Sequence, residues 1–248
     1  MNEHDPTRGG DYLNDCTAGG VAMRVVTVIP AFNEERTVES VVRGALEHGD
    51  VILVDDGSTD RTAALGEEAG ARVISHPKNL GKGAALKTGI REALGGDYDV
   101  IVFMDADGQH DPSLIPELAS AVNGGDFIIG SRFIRNNHDS MPLHRQLSNR
   151  ITTWILRLAT GYRITDSQSG FRAISARYAH LILEIPYDDY VYESEAICET
   201  SRHRLRIAEV PITCTYGDEK SYIGVGDVLH YIRFIVRLFV RRISRVRG

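Results

Sequence analysis

Val51-Ile52-Leu53-Val54-Asp55-Asp56-Gly57-Ser58-Thr59-Asp60 decides how this chain is read. Four consecutive branched apolar residues suit a strand buried on both faces, where neither side meets water. The acids, glycine and hydroxyls that follow suit a tight turn. Asp60–Ala69 then shows apolar residues at helical spacing. Strand, polar turn and helix together make half of a βαβ unit.

The alternation continues outward in both directions. Val25–Pro30, Arg72–Ser75, Val100–Met104 and Phe127–Ser131 are short, rich in branched residues and bounded by turn residues. Glu34–Glu47, Gly83–Leu94 and Pro112–Val122 have the helical period. The pattern predicts an α/β fold: a doubly wound, mostly parallel sheet with helices on both faces. Beyond it, a helix is predicted over Leu143–Leu158, ending near Gly161. Short strands are predicted around Gly170–Ile174 and Ile207–Thr215, with helices near Ala176–Leu183 and Tyr190–His203. These later elements are too few for a core of their own, so residues 23–222 are expected to form one domain. Residues 1–22 hold four glycines and no periodicity and read as a flexible leader, with order beginning at Arg24.

A chain of 248 residues with a net charge of -6 is large enough for its own core and is not basic enough for a general nucleic-acid binder. Cys16, Cys198 and Cys214 match no zinc spacing and their odd number makes a poor disulfide framework, so a reduced, cytoplasmic protein is expected. The N-terminus lacks the layout of a secretory signal, and no run reaches ~18 uncharged apolar residues, the length of a membrane span. The acidic body ends in a basic tail. Over Asp227–Val246 the residues Val228, Leu229, Ile232, Ile235, Val236, Phe239 and Ile243 recur at helical spacing, and Arg233, Arg237, Arg241 and Arg245 form a stripe. Residues 223–248 therefore read as a basic amphipathic helix, packed on the domain or on a second subunit, or lying in a headgroup layer.

In open parallel sheets ligands bind beyond the carboxyl ends of the strands. Three polar loops fall there: Ala31-Phe32-Asn33-Glu34-Glu35, Asp55 to Asp60, and Asp105-Ala106-Asp107-Gly108-Gln109-His110. If the strand carries on through Asp105 and Asp107, their side chains share a face. Two adjacent carboxylates repel unless a proton or cation lies between them, and Mg²⁺ accepts such oxygens while also clasping substrate phosphates. Gln109 adds a third oxygen, and His110 is close enough to assist. The competing reading makes the paired acids helix caps, although Asp111 before Pro112 already suits that role. Asp55 is placed to accept hydrogen bonds from a base or ribose, while Ser58 or Thr59 starts the next helix. Gly81-Lys82-Gly83 fails as a dinucleotide fingerprint because Leu86 stands at the third glycine position, and no P-loop is present. Lys82 either steers phosphate or begins a solvated helix.

Taken in order, Val28–Glu35, Val54–Asp60, Asn79–Gly83, Met104–His110, Gly130-Ser131-Arg132, Asp166–Arg172 and Tyr216–Ser221 resemble the inverting GT-A glycosyltransferases of family 2, most of all the dolichyl- or polyprenyl-phosphate sugar synthases. The resemblance implies that Pro30, Ala31, Glu34, Asp55, Lys82, Asp105 and Ala106 bind the donor. It implies that Asp105, Asp107 and Gln109 hold a divalent metal, Mg²⁺ or Mn²⁺, on the diphosphate. Arg132, Arg145 and Lys220 would meet the acceptor phosphate, with Asp107, Asp166 and Arg132 as the catalytic set. For Asp166 two roles stay open, removing a proton or orienting a basic residue. The implied reaction moves a hexose from GDP-mannose or UDP-glucose to dolichyl or polyprenyl phosphate, on the cytoplasmic face of a membrane. The alternatives are a soluble or glycan acceptor, and a nucleotide-sugar-binding protein without turnover. A homodimer is left open. Many such relatives continue into transmembrane helices, whereas this sequence stops at Gly248.

Overall fold

The computed structural model describes residues 17–18, 21–134, 141–215, 231 and 233–238. A two-residue antiparallel ribbon, β1 (Thr17–Ala18) with β2 (Val21–Ala22), precedes the main domain, ahead of the expected start at Arg24. The other strands are β3 (Val25–Ala31), β4 (Asp50–Asp55), β5 (Arg72–Ser75), β6 (Val100–Phe103), β7 (Phe127–Ser131), β8 (Arg172–Ser175) and β9 (Ile207–Pro211). They form one seven-stranded sheet in the order β5-β4-β3-β6-β8-β7-β9. All neighbouring pairs are parallel except those of β8, which runs antiparallel to both β6 and β7.

Burial on both faces explains why β3 is apolar at every position but Thr27. Val26 and Val28 point into one core cluster, and Val25, Ile29 and Ala31 into the other. Helices α1 (Val38–Leu46), α2 (Thr62–Ala69) and α4 (Ile115–Ala121) cover the second face. Helices α3 (Lys82–Leu94), α6 (Ala176–Leu183) and α7 (Val191–Arg202) cover the first. Helix α5 (Leu143–Thr160) packs beside α7 and ends at Gly161, which takes the left-handed conformation at φ 82°. Pro30 is tolerated in a central strand because the β6 ladder reaches only Val28, so no partner strand needs the missing N–H.

Three boundaries differ from the sequence reading for local reasons. Helix α1 begins at Val38, not Glu34, because the N–H groups of Glu34 and Glu35 bond to Thr62 Oγ1 and to the Asp60 carboxylate. Helix α2 is not started by Ser58 or Thr59; Asp60 Oδ1 takes the N–H and hydroxyl of Thr62 instead. Strand β6 stops at Phe103, so Asp105 and Asp107 stand in a turn and not on a strand face. The cap assigned to Asp111 is present, its Oδ1 accepting from Ser113 N–H at 3.0 Å.

The C-terminal helix is described only in part. In residues 233–238, Phe234 and Leu238 are buried in the core while Arg233 and Arg237 are exposed. The Phe234 ring meets Tyr187 edge-on at 5.7 Å. Phe234 and Leu238 therefore pack on the domain, while Val236 of the same apolar set is 56% exposed. Arg241 and Arg245 lie outside the described residues, as do residues 1–16 and 19–20 of the leader expected over residues 1–22. Among the described residues no helix is long and apolar enough to cross a membrane.

Helix α3 approaches the sheet closely at Gly89, where an added Cβ would run into the Val28 side chain. In an open helix Gly→Ala gains about 1 kcal/mol. Here overpacking of roughly 1–3 kcal/mol opposes it. Gly89→Ala should lower the urea midpoint; an unchanged or raised midpoint would show that the α3–β3 contact yields.

Candidate active site

The strand order reverses at β3. The chain goes β3, β4, β5 to one side and then returns to place β6 on the other. In doubly wound sheets ligands sit at such a switch point, which here falls between the loops after β3 and β6. The loops after β3 and β4 are zipped together. Asn33, at φ 57°, donates its N–H to Ser58 Oγ and accepts the Thr59 N–H on its side-chain oxygen, both at 2.9 Å. Asp56 N–H bonds to Ala31 O at 2.8 Å. Pro30, Ala31 and Asp55 are buried at this seam and Glu34 is part-buried. Asp55 Oδ1 accepts the Ser58 N–H at 3.1 Å, so this carboxylate shapes its own loop. Thr37 Oγ1 ties the first loop to the third through Ala106 O at 2.7 Å.

Asp105 faces a cation. Lys82 Nζ lies 2.7 Å from Asp105 Oδ1 and 3.1 Å from Glu193 Oε2 on α7. Burial disfavours the ammonium charge, but the two carboxylates outweigh it and hold the Lys82 pKa above its ordinary value. Burial likewise opposes charge on Asp105, and Lys82 above all keeps its pKa low. The alternative of a solvated helix start for Lys82 is thereby excluded. Its presentation depends on Asp56, whose carboxylate accepts the N–H groups of Leu80 at 2.9 Å and Gly81 at 2.8 Å. Asp107 is part-exposed and its Oδ1 accepts the Gln109 N–H at 3.0 Å, with Gly108 at φ 76° closing the turn. A shared strand face is thus not what aims these acids; a turn does.

The other wall comes from β7, α5 and the loop before β8. Asp166, at 0% exposure, receives five donors: Arg132 N, Nε and Nη2, Asn149 Nδ2 and Gln168 N, at 2.7–3.2 Å. Burial would raise its pKa; the donors, Arg132 first, outweigh that and hold it below the usual carboxylate range. Glu209 on β9 accepts the N–H groups of Thr165 and Asp166 and braces the loop. Buried Arg172 donates to three carbonyls: Ser169 O at 2.7 Å, Glu193 O at 2.6 Å and Ser167 O at 2.9 Å. The two walls touch at Gly170, where any Cβ would collide with the Asp105 carboxylate.

Other candidates fall elsewhere. Arg145 is in the first turn of α5 and part-buried. Lys220 lies outside the described residues. His110 is turned into the core, its ring 5.2 Å from Phe171 and its Nδ1 3.5 Å from Cys214 Sγ. Burial pushes its pKa down to about 4, leaving it neutral near pH 7, and pushes the Cys214 thiol up to about 12. Glu193, Asp56, Glu209 and Asn149 are site residues that the motifs did not single out. Glu193 sits in a helix with several other acids, and no local signal marks it.

Among the described residues no three His, Cys, Asp or Glu side chains converge as a closed metal site. The donor set at Asp105, Asp107 and Gln109 is nonetheless all hard oxygen, and Asp105 already bonds an ammonium. It fits an open Mg²⁺ or Mn²⁺ site that substrate phosphates would complete.

Residues 26–182 match the family model described as glycosyl transferase family 2. The chain is 30% identical over 246 residues to a UDP-N-acetylglucosamine–dolichyl-phosphate N-acetylglucosaminyltransferase of Methanococcus voltae, covering 90% of this chain and 97% of that one. It is 34% identical over 217 residues to an undecaprenyl-phosphate mannosyltransferase of Micrococcus luteus, covering 82% and 89%. Among solved structures, glucosyl-3-phosphoglycerate synthase of Mycobacterium tuberculosis with Mn²⁺, UDP-glucose and phosphoglyceric acid is similar at a TM-score of 0.63 and 26% identity, over 88% of this chain and 79% of that one.

Removing the Asp166 charge leaves Arg132 buried without its counter-ion. Asp166→Asn should cost roughly 3–5 kcal/mol near pH 7 in urea unfolding. Because the folded pKa of Asp166 is depressed, its contribution is present above about pH 4 and fades as pH falls below that value. The gap between wild type and variant should narrow from pH 5 to pH 3; a constant gap would show that charge is not the cause.

Proposed function

The chain belongs to glycosyl transferase family 2, and on that premise we propose that it moves a hexose from a nucleotide sugar onto the phosphate of a polyprenyl or dolichyl lipid at a membrane surface. The observation that carries this reading is the junction of the two walls. The Asp105 carboxylate packs on Gly170, in the same loop whose Asp166 clamps Arg132. Donor carboxylates and a fixed guanidinium thus meet at one sheet edge. The prenyl-phosphate sugar transferases among the relatives support the lipid acceptor.

The seam formed by Pro30, Ala31, Glu34 and Asp55 lies where a nucleoside would enter, beside Asp105 and Ala106. Asp105, Asp107 and Gln109 would hold the divalent ion, which when bound supplies positive charge to the departing diphosphate. Lys82 adds a second cation there, fixed by Asp105 and Glu193. A phosphate monoester is already an anion near pH 7, so its attack needs no general base. It needs a cation that brings two anions together, and the Arg132 guanidinium, held through Nε and Nη2 by Asp166, would supply that charge. Asp166 is a positioning residue in this scheme: fully buried, it holds Arg132 and takes no proton. A phosphate oxygen forms the new bond at the anomeric carbon as the bond to the nucleoside diphosphate breaks on the opposite face, inverting that centre.

GDP-mannose and UDP-glucose are the donors proposed from the sequence. The N-acetylglucosaminyltransferase relative adds UDP-N-acetylglucosamine to the set to be tested. A second reading, a soluble phosphorylated acceptor, is favoured by the phosphoglyceric acid held by the structural neighbour. Nucleotide release from these three donors, with polyprenyl phosphate or phosphoglycerate present, separates the readings. Release stimulated only by phosphoglycerate would overturn the lipid reading.

Two variants test the residue roles. Asp107→Ala should abolish turnover with Mn²⁺ while lowering the unfolding free energy by no more than about 1.5 kcal/mol, the worth of its hydrogen bond to Gln109 N–H; wild-type activity would remove Asp107 from the ion site. Arg132→Ala should reduce transfer by about 100-fold or more, with a much smaller change in donor dissociation constant by calorimetry. Equal losses in both would count against an acceptor role.

A further inference from the structure

Helix α5 has two faces of opposite character. Asn149, Thr152, Thr153 and Leu156 are buried, and Asn149 and Thr153 hold the loop that carries Asp166. On the far side Leu143, Leu147, Ile151, Trp154 and Leu158 are between 41% and 81% exposed. At 100° per residue these five fall within a strip about 80° wide. Exposed apolar residues usually occur singly; a continuous strip along a helix of 18 residues marks a surface that something covers.

Charge identifies what covers it. Helix α5 contains His144, Arg145, Arg150 and Arg157 and no acid, in a chain whose net charge is -6. Arg150 and Arg157 are exposed and border the strip on one side. An isologous contact between two copies through this helix would set arginine against arginine, with no α5 carboxylate to offset them. An anionic bilayer satisfies both features, giving acyl chains to the strip and headgroup charge to the arginines. Trp154 is the chain's single tryptophan, and indole favours the boundary between those two layers.

We propose that α5 is the membrane-docking surface of this protein, lying in the plane of an anionic bilayer with its apolar strip toward the acyl chains. The docking role thereby falls on α5 and not on residues 233–238, whose Phe234 and Leu238 are used in the core. The opposite face of α5 holds Asp166, so the Arg132 pair stands about one helix diameter, ~10 Å, above the headgroups. The inference gives the lipid-phosphate reading its geometry and rests on that reading for its purpose.

The test uses the full chain with vesicles of phosphatidylcholine, alone or enriched in phosphatidylserine. Trp154 emission should shift to the blue on the anionic vesicles and be quenched by brominated lipid. Leu147→Ser with Ile151→Ser should lower the partition coefficient about tenfold or more. Arg150→Gln with Arg157→Gln should lower it roughly 30-fold on anionic vesicles and little on neutral ones. Unchanged urea midpoints would show that these surface variants fold. The proposal is overturned if the protein sediments with vesicles without any change in Trp154 emission, or if the serine variants partition like wild type. It fails equally if those variants convert a dimer to monomer and leave vesicle binding intact, since the occupant is then a second copy. Transfer to a short, water-soluble prenyl phosphate separates the two readings. Transfer retained without docking sinks this inference alone, and docking retained without transfer to any prenyl phosphate sinks the proposed function alone.

Discussion

The site depends on one buried ion pair. Taking a carboxylate and a guanidinium out of water costs several kcal/mol per ion, which only close geometry and further hydrogen bonds return. Asp166 and Arg132 meet that condition with two contacts between their side chains, a backbone N–H from Arg132, and donors from Asn149 and Gln168. The pair ties β7, α5 and the loop before β8 into one rigid wall. Rigidity would serve the acceptor-binding role proposed for Arg132, since a mobile arginine would lose side-chain entropy on each encounter.

The opposite wall is organised by excess negative charge. Asp105 and Glu193 share one ammonium, Lys82. The same chemistry recurs one layer back, where Asp56 gathers two backbone N–H groups and the His76 ring to fix the loop before Lys82. The backbone of Gly170 lets the two walls close on each other. Arg172 meets three carbonyls and ties the loop at Ser167 and Ser169 to Glu193 on α7, linking the wall that carries Asp166 to the Lys82 cluster.

Membership of glycosyl transferase family 2 and the GT-A fold agree with this arrangement. The parallel half of the sheet, β5-β4-β3-β6, presents the acidic loops, while the β8-β7-β9 half presents the basic wall. Antiparallel β8 joins the halves: its residue Arg172 pairs with Phe103 of β6 on one side and Ile129 of β7 on the other. A single strand therefore carries the register between the two kinds of chemistry.

By itself the sequence determined the strands and helices, because burial on two faces demands unbroken apolar runs and burial on one face demands the helical period. Strands Arg72–Ser75 and Phe127–Ser131 and helix Ala176–Leu183 have the bounds that the pattern implied. It also marked the acidic loops, since Asp105 and Asp107 stand close in the chain. Only the tertiary structure decided what those residues touch. Glu193 meets Lys82, and Asn149 meets Asp166, across long stretches of chain, and no local pattern encodes a contact between helices. His110 turned inward and Lys82 inward to the acids for the same reason. A side chain's direction is set by the packing and charge around it, which exist only once the sheet has formed.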